Sequence, residues 1–332
     1  MAKTQIADII RPEPLFRDSV VERTTELSEL WTSGIVESDA SFNELASNKG
    51  SIHDMPFWND LSGATEVLSD SGSLTPAKID QSKDRAVKHF RGRAWSANDL
   101  AKAMAGDDPM DRVVELVASY WARSMQTDIV LNTLTGVFAT ALSGTHELDV
   151  SIAAGDSALD ANLIGSDAVI DAQNLLGDAW MNITAMAMHS KPFSRLQKLN
   201  LIEFVPLAGQ TIMIPTFLGR RVLVDDGMPV VAGATNGFVY TTYLFGAGAF
   251  AHGEGGAPSL EDDEAVESDR DTLAGDDIFV TRRHFIMHLR GVQFSGTPAG
   301  AGPSNAELAA GGNYTKAWQD KNIRVLSLKT NG

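Results

Sequence analysis

One long amphipathic helix constrains what this chain can become more than any other feature. Asp108 stands at a capping position, Pro109 at the first helical position and Asp111 in the first turn. Together they supply an acceptor for orphan amides, a preset φ and a negative charge at the positive end of the helix dipole. Met110, Val114, Val117, Trp121, Met125 and Ile129 follow at spacings of four, three, four, four and four, so they line one face. The pattern predicts a helix over 109–140, on the order of 48 Å long at about 1.5 Å per residue. No second helix of comparable length is present to pair with it, which argues against a helical bundle. A helix of this length spans a whole domain and acts as its spine.

What precedes the spine does not read as a core. Pro12 and Pro14 break any early element, and the stretch that follows offers Val20, Val21, Leu27 and Leu30 as its main apolar positions. Residues 1–50 are expected to form an extended arm with one modest helix, ordered by lying across another surface. Over 51–94, an apolar and aromatic run (Ile52 to Asp60) and a more charged alternation (Ile79 to Ala94) flank a polar excursion from Leu61 to Lys78. This predicts a long projecting hairpin, and a polar excursion of that length is kept in a compact protein chiefly when it binds something. Lys78, Lys83 and Lys88 in this hairpin are read as solvated surface charge rather than cross-link partners. Asn98 and Asp99 open a short helix ending near Gly106.

Downstream of Ser166 the pattern is α+β. It predicts helices over 167–177 and 192–201, strands over 183–188, 211–215, 221–224, 239–245 and 278–294, and a last strand at Val325, Leu326 and Leu328. Glu261, Asp262, Asp263, Glu264, Glu267, Asp269 and Asp271 are expected to form a flexible acidic loop. Its carboxylates lack the ordered Asp and Gly spacing of an EF-hand, so a solvated face is the expectation.

The chemistry of the chain offers no active site. There is no cysteine, which removes disulfides, thiolate metal sites and thiol nucleophiles, and the net charge of −16 disfavours a dedicated nucleic-acid-binding domain. No apolar segment follows Met1 and no stretch reaches about 18 uninterrupted apolar residues, so neither export nor membrane insertion is expected. Gly246-Ala247-Gly248-Ala249-Phe250-Ala251 imitates a dinucleotide fingerprint, but His252 to Pro258 cannot start the helix that motif requires. His284 and His288 have a zinc-like spacing, but Phe285 stands where a general base is needed and the surrounding alternation predicts a strand. His189-Ser190 lacks a glycine elbow, and Ser190 suits a helix cap better than a nucleophile. No catalytic, cofactor-binding or metal-binding residue is assigned.

Several blocks, in colinear order over roughly residues 4–330, resemble the tailed-bacteriophage and prophage major capsid protein family. They include Met55-Pro56-Phe57-Trp58-Asn59-Asp60-Leu61, Arg91-Gly92-Arg93-Ala94-Trp95-Ser96-Ala97-Asn98-Asp99-Leu100-Ala101 and Gly106-Asp107-Asp108-Pro109-Met110. Pro215-Thr216-Phe217-Leu218-Gly219-Arg220-Arg221-Val222, Tyr240-Thr241-Thr242-Tyr243-Leu244-Phe245-Gly246, Arg282-Arg283-His284-Phe285 and Leu289-Arg290-Gly291-Val292 continue the series.

The resemblance implies the α+β Johnson capsid fold: an N-terminal arm (1–50), an E-loop hairpin (51–94), and a peripheral domain (95–160) with its spine helix at 109–140. A mainly axial domain (161–277) and return strands of the peripheral domain (278–332) complete it. It implies a subunit that assembles with itself into the pentamers and hexamers of an icosahedral virion shell, in the bacterial host cytoplasm. Portal, scaffolding and decoration proteins are implied partners; double-stranded DNA is enclosed without sequence-specific binding, and no membrane is involved. Intersubunit contacts are expected at Phe16 in the arm and at Phe57, Trp58, Val67 and Leu68 in the hairpin, apolar residues in segments without a core of their own. An encapsulin-like compartment of the same fold and an oligomeric α/β enzyme are the alternatives.

Overall fold

A computed structural model describes residues 33–68, 70, 73–100, 104, 109–206, 213–255, 264–271 and 275–332. The described chain opens with strand β1 (Val36–Ser38), helix α1 (Ala40–Ser47), β2 (Ile52–Trp58) and β3 (Gln81–Asn98). Helix α2 (Pro109–Ser124) runs without a break through a π-helical stretch, Met125–Leu131, into α3 (Asn132–Ala139). After β4 (Glu147–Asp149) come α4 (Ser166–Asn174), β5 (Ile183–Met188), α5 (Ser190–Lys198), β6 (Glu203–Pro206), β7 (Met213–Phe217), β8 (Arg220–Val224) and β9 (Val230–Ala232). The remainder is β10 (Phe238–Gly246), β11 (Phe250–Glu254), β12 (Glu264–Asp271), β13 (Asp276–Leu289), β14 (Val292–Phe294), α6 (Asn305–Ala309), β15 (Tyr314–Lys316) and β16 (Val325–Thr330).

Two main sheets carry the fold. The first has the order β1-β11-β13-β3-β2 with β12 also on β13; the second is β4-β16-β10-β5-β8-β7-β6 with β9 on β10. Alternation along the strands of the second sheet assigns its two faces. Ala185, Ala187, Tyr243, Phe245 and Val325 join one apolar cluster, whereas Met186, Met188, Leu244, Leu326 and Leu328 join another. The first cluster contains Met125, Ile129, Val130, Leu131, Leu134, Val137 and Phe138 of the long helix; the second contains Val169 and Ala172 of α4 and Leu196 of α5. The sheet is thus covered by helix on both faces, which is why its central strand β5 is apolar and buried at every position but Thr184.

The helix starts at Pro109 and ends at Ala139, but its expected stripe is only half buried. Val114 is 51% exposed and Val117 half-buried, while Trp121, Met125 and Ile129 are buried. The first half lies along the far end of the first sheet, where Tyr120 meets Trp95 edge-on at 5.1 Å, and Trp121 Nε1 donates to Thr281 Oγ1 at 3.2 Å. In the π-helical stretch Met125, Gln126, Ile129, Val130 and Leu131 are all buried, so the helix passes from riding on one sheet to being enclosed between two. Asp108, expected as its cap, lies outside the described residues. At Gly136 an added Cβ would lie 2.2 Å from the Leu308 carbonyl oxygen, so only glycine permits this close approach of α3 to α6.

The first sheet has a histidine-rich core. The His89 ring stacks on Phe285 at 5.3 Å, His252 lies tilted 6.2 Å from the same Phe285 ring, His284 meets Phe90 edge-on, and His288 stacks on Phe42. Burial drives the His89 pKa down to about 3 and that of His252 to about 4. Helix α1 covers the outer face through Phe42 and Ala46, against Ala86, Ala251 and Ile286.

Three expectations are corrected. Residues 33–50 are not part of an arm: Ile35 is buried in the main core, β1 pairs in parallel with β11, and α1 is packed on the sheet. The acidic segment is no loop over 264–271, since β12 pairs antiparallel with β13 from Glu264↔Arg283 to Asp271↔Asp276; residues 261–263 lie outside the described residues. The last strand does not accompany 278–294, because β16 sits in the second sheet between β4 and β10.

Gly136→Ala is expected to destabilise the protein by about 1–3 kcal/mol in urea unfolding, although alanine is the better helix former, because the added methyl must displace backbone. Stability is also expected to fall as pH drops from about 6.5 towards 3. Over that window the unfolded chain takes up protons that folded His89 and His252 refuse. Thermal melts of His89→Phe across this range are expected to show a shallower slope than those of the parent.

Candidate functional site

The hairpin formed by β2 and β3 projects from the first sheet with Ile52 opposite Val87 and Trp58 opposite Gln81. Across it Asp54 binds both Lys83 and Arg85 at 2.7 Å, and these bonds hold its carboxyl at about 2. Exposed pairs of this kind fix register more than they stabilise. Where the strands part, the Asn59 amide donates to the Asp80 carbonyl at 3.0 Å and Asn59 Nδ2 donates to Ser82 Oγ at 2.9 Å. Beyond that point the described residues from Leu61 to Asp80 form neither helix nor strand and are all exposed.

The hairpin root is tied down by a buried carboxylate. Asp84 accepts from His288 Nε2 at 2.9 Å, from the Gly291 amide at 3.0 Å and from the Arg85 amide at 2.8 Å. Burial pushes this carboxyl up, but the three donors outweigh it and hold it below its ordinary range. Lys88 corrects its expected role as solvated charge: it is 1% exposed, its Nζ donates to the Asn48 carbonyl at 2.6 Å, and burial lowers its pKa. Lys78 and Lys83 remain at the surface, paired with Asp80 and Asp54.

The contact residues anticipated in the hairpin separate into a root and a tip. Phe57 is half-buried and meets Trp318 edge-on at 6.4 Å, while Trp58 beside it is 64% exposed at the mouth of a cleft of about 800 Å³ shared with Trp318, Gln319 and Arg324. Val67 and Leu68, 95% and 80% exposed, touch no core. Phe16 lies outside the described residues. A second group of exposed apolar side chains was not singled out beforehand: Trp180 and Met181, Phe204 and Val205 on edge strand β6, and Val231 and Phe238 near β9. Strands β6 and β9 were not among those expected from the sequence, and Trp180 and Met181 lie in a 3-10 turn between α4 and β5.

The catalytic imitations dissolve in the fold. Gly246 to Ala251 is a tight turn from β10 into β11, with Gly248 at φ +63° and strand β11 where the motif needs a helix. His284 and His288 stand four apart on β13, a separation of about 13 Å along an extended strand. At Ser190 the capping expectation is corrected: His189 is the cap, its Nδ1 accepting from the Lys191 amide at 3.1 Å, while the Ser190 amide donates to Asp226. Ser190 Oγ and Asp226 Oδ1 both approach that same ring nitrogen, at 3.3 and 3.6 Å, whereas a nucleophilic relay needs the two nitrogens to face opposite partners. Among the described residues no group of three or more His, Asp or Glu is placed to hold a metal, and no helix is long and apolar enough to cross a membrane.

Comparison with known proteins agrees with this arrangement. The chain is similar to the capsid of cyanophage Pam1 (TM-score 0.60, 12% identity, 100% of this chain and 99% of that chain) and to the head protein of Helicobacter pylori bacteriophage KHP40 (TM-score 0.58, 9% identity, 96% and 95%). These likenesses show the fold, the tailed-phage capsid or Johnson fold. At the level of sequence it is 40% identical over 332 residues to the major capsid protein of Bacillus phage SPP1, covering 99% of this chain and 98% of that protein. These matches favour the coat protein over the compartment and enzyme alternatives, and the family is a structural one rather than an enzyme class. Residues 42–323 match the family described as Gp13-like, major capsid protein 13-like, and the chain therefore belongs to that family of major capsid proteins.

Proposed function

We propose that this chain is the major coat subunit of a tailed phage, assembling into the pentamers and hexamers of an icosahedral virion shell around double-stranded DNA. The observation that carries the reading is a folded body with buried sheets joined to a hairpin tip whose apolar side chains, Leu61, Val67, Leu68 and Leu74, are 59–95% exposed. A monomer does not bury them, and a neighbouring copy can. The hairpin is the E-loop of this reading, and Phe57, Trp58, Val67 and Leu68 are its intersubunit contacts. The first sheet with α2 forms the peripheral domain, and the second sheet with α4 and α5 forms the axial domain, now including β16.

Each joint can be weak, because a subunit held by several neighbours at once gains collective stability while misplaced copies still dissociate. The net charge of −16 supports enclosure of DNA without sequence-specific binding, since the average field of the wall repels phosphate. Portal, scaffolding and decoration proteins are the other partners of this reading, assembly takes place in the host cytoplasm, and no catalysis is assigned. Replacing both Val67 and Leu68 with Asp is expected to leave the melting temperature of the dissociated subunit unchanged, since the sites are exposed, and to abolish closed shells in electron micrographs. Shells of normal yield from that variant would remove the hairpin from assembly.

A further inference from the structure

A second surface carries marks of association that the hairpin does not explain. Strands β7 and β8 are joined by a two-residue turn, Leu218-Gly219, with φ of +50° and +75°. Such a turn needs the left-handed region at both positions and is best served by Asn-Gly. Among the described residues the non-glycine positions with positive φ are Asn200, of the type that tolerates it, and Leu218, which does not. A strained conformation filled by a leucine that is 44% exposed is explained by neither folding nor solubility.

The next residue adds an independent observation. Arg220 is 5% exposed, yet no carboxylate pairs with it among the described residues, and its Nε has no hydrogen-bond partner there. Its Nη1 donates to the Leu218 carbonyl at 3.0 Å and its guanidinium lies 5.4 Å from the Trp180 ring, so the arginine ties the turn to the Trp180-Met181 segment. Trp180 and Met181 are 40% and 73% exposed. An aromatic, a methionine, an exposed leucine and a nearly buried arginine without a counter-ion make the composition of an interface centre, not of a free surface.

We infer that the surface formed by Leu218, Arg220, Trp180 and Met181 is a contact for a second copy of this chain, which covers the apolar rim and brings a carboxylate to Arg220. The inference rests on the coat-subunit reading and extends it to a joint on the second sheet. Charge favours this occupant: with 43 acidic against 27 basic residues, a second copy offers carboxylates in excess. Covering the arginine completes the pairing that the subunit alone leaves undone, and covering Leu218 offsets the strain of its turn.

The test is the concentration at which shells or capsomers appear, measured by sedimentation velocity and electron microscopy on the full chain. Two variants are compared with the parent, Leu218→Asn and Met181→Gln. Leu218→Asn supplies the preferred turn residue, so the dissociated subunit is expected to melt about 1–3 °C higher while its assembly threshold rises at least tenfold. Met181→Gln is expected to leave melting unchanged and raise the threshold in the same direction. Thresholds within twofold of the parent for both variants overturn the inference while leaving the coat reading intact, and that includes the outcome in which another protein proves to bind there. A parent chain that forms no shells or capsomers under any condition overturns the coat reading and this joint together.

Discussion

The structure depends on one stretch of helix being wrapped by two sheets. From Met125 to Phe138 the helix contributes to the same apolar cluster as Val87, Phe250, Phe285 and Met287 of the first sheet and Ala185, Ala187, Tyr243 and Phe245 of the second. Neither sheet could bury that face without it. The small Ala185 and Ala187 let the helix approach, and Gly136 lets α6 and the β14–β15 ribbon close over its far side. A π-helical stretch exposes successive side chains around more of the circumference than a regular α-helix stripe. That suits a segment enclosed on several sides, where Gln126 also finds a partner in Asp225.

Around this rigid centre, part of the apolar surface left uncovered among the described residues falls into groups. While Val114 and Leu159 stand apart from them, these groups lie on the hairpin tip, on edge strand β6 and near β9, and beside the Leu218 turn. These are places where a strand edge, a turn or an excursion leaves the body. Two of the buried charged groups sit together. Asp84 with His288 and Lys88 with Asn48 lie at the root of the hairpin, where charge taken out of water fixes one geometry. The division fits a subunit that must be stiff within itself and adhesive at its extremities.

Much of this was readable from residues alone, for identifiable reasons. Pro109 and the apolar series behind it located the helix start, and the run Ile183–Met188, apolar at every position but Thr184, located β5, because a strand covered on both faces keeps few polar positions. The hairpin was legible from its polar excursion. Periodicity reports a face but not what lies opposite, so the exposure of Val114 was hidden, as was the enclosure of the helix beyond Trp121. Charge misled at Lys88 and along Glu264–Asp271, where a carbonyl acceptor and the pairing on β13 decided the outcome. The candidate contacts in the hairpin followed from apolar residues in a coreless segment. Those around Arg220 could not, because they depend on a backbone conformation and on a missing counter-ion.

Strand β3 belongs to two structures at once. Its first residues pair with β2 in the hairpin, and from Lys88 to Asn98 it pairs with β13 in the body. In the proposed shell, a neighbour that grips the hairpin would therefore pull along the axis of a strand embedded in the first sheet. Load in that direction acts on the whole register from Lys88↔Ile286 to Asn98↔Asp276 in shear, so its bonds resist together instead of peeling one at a time. The projection is thus mechanically continuous with the sheet, and tension arriving at the tip is carried past the Asp84 latch into the centre of the subunit.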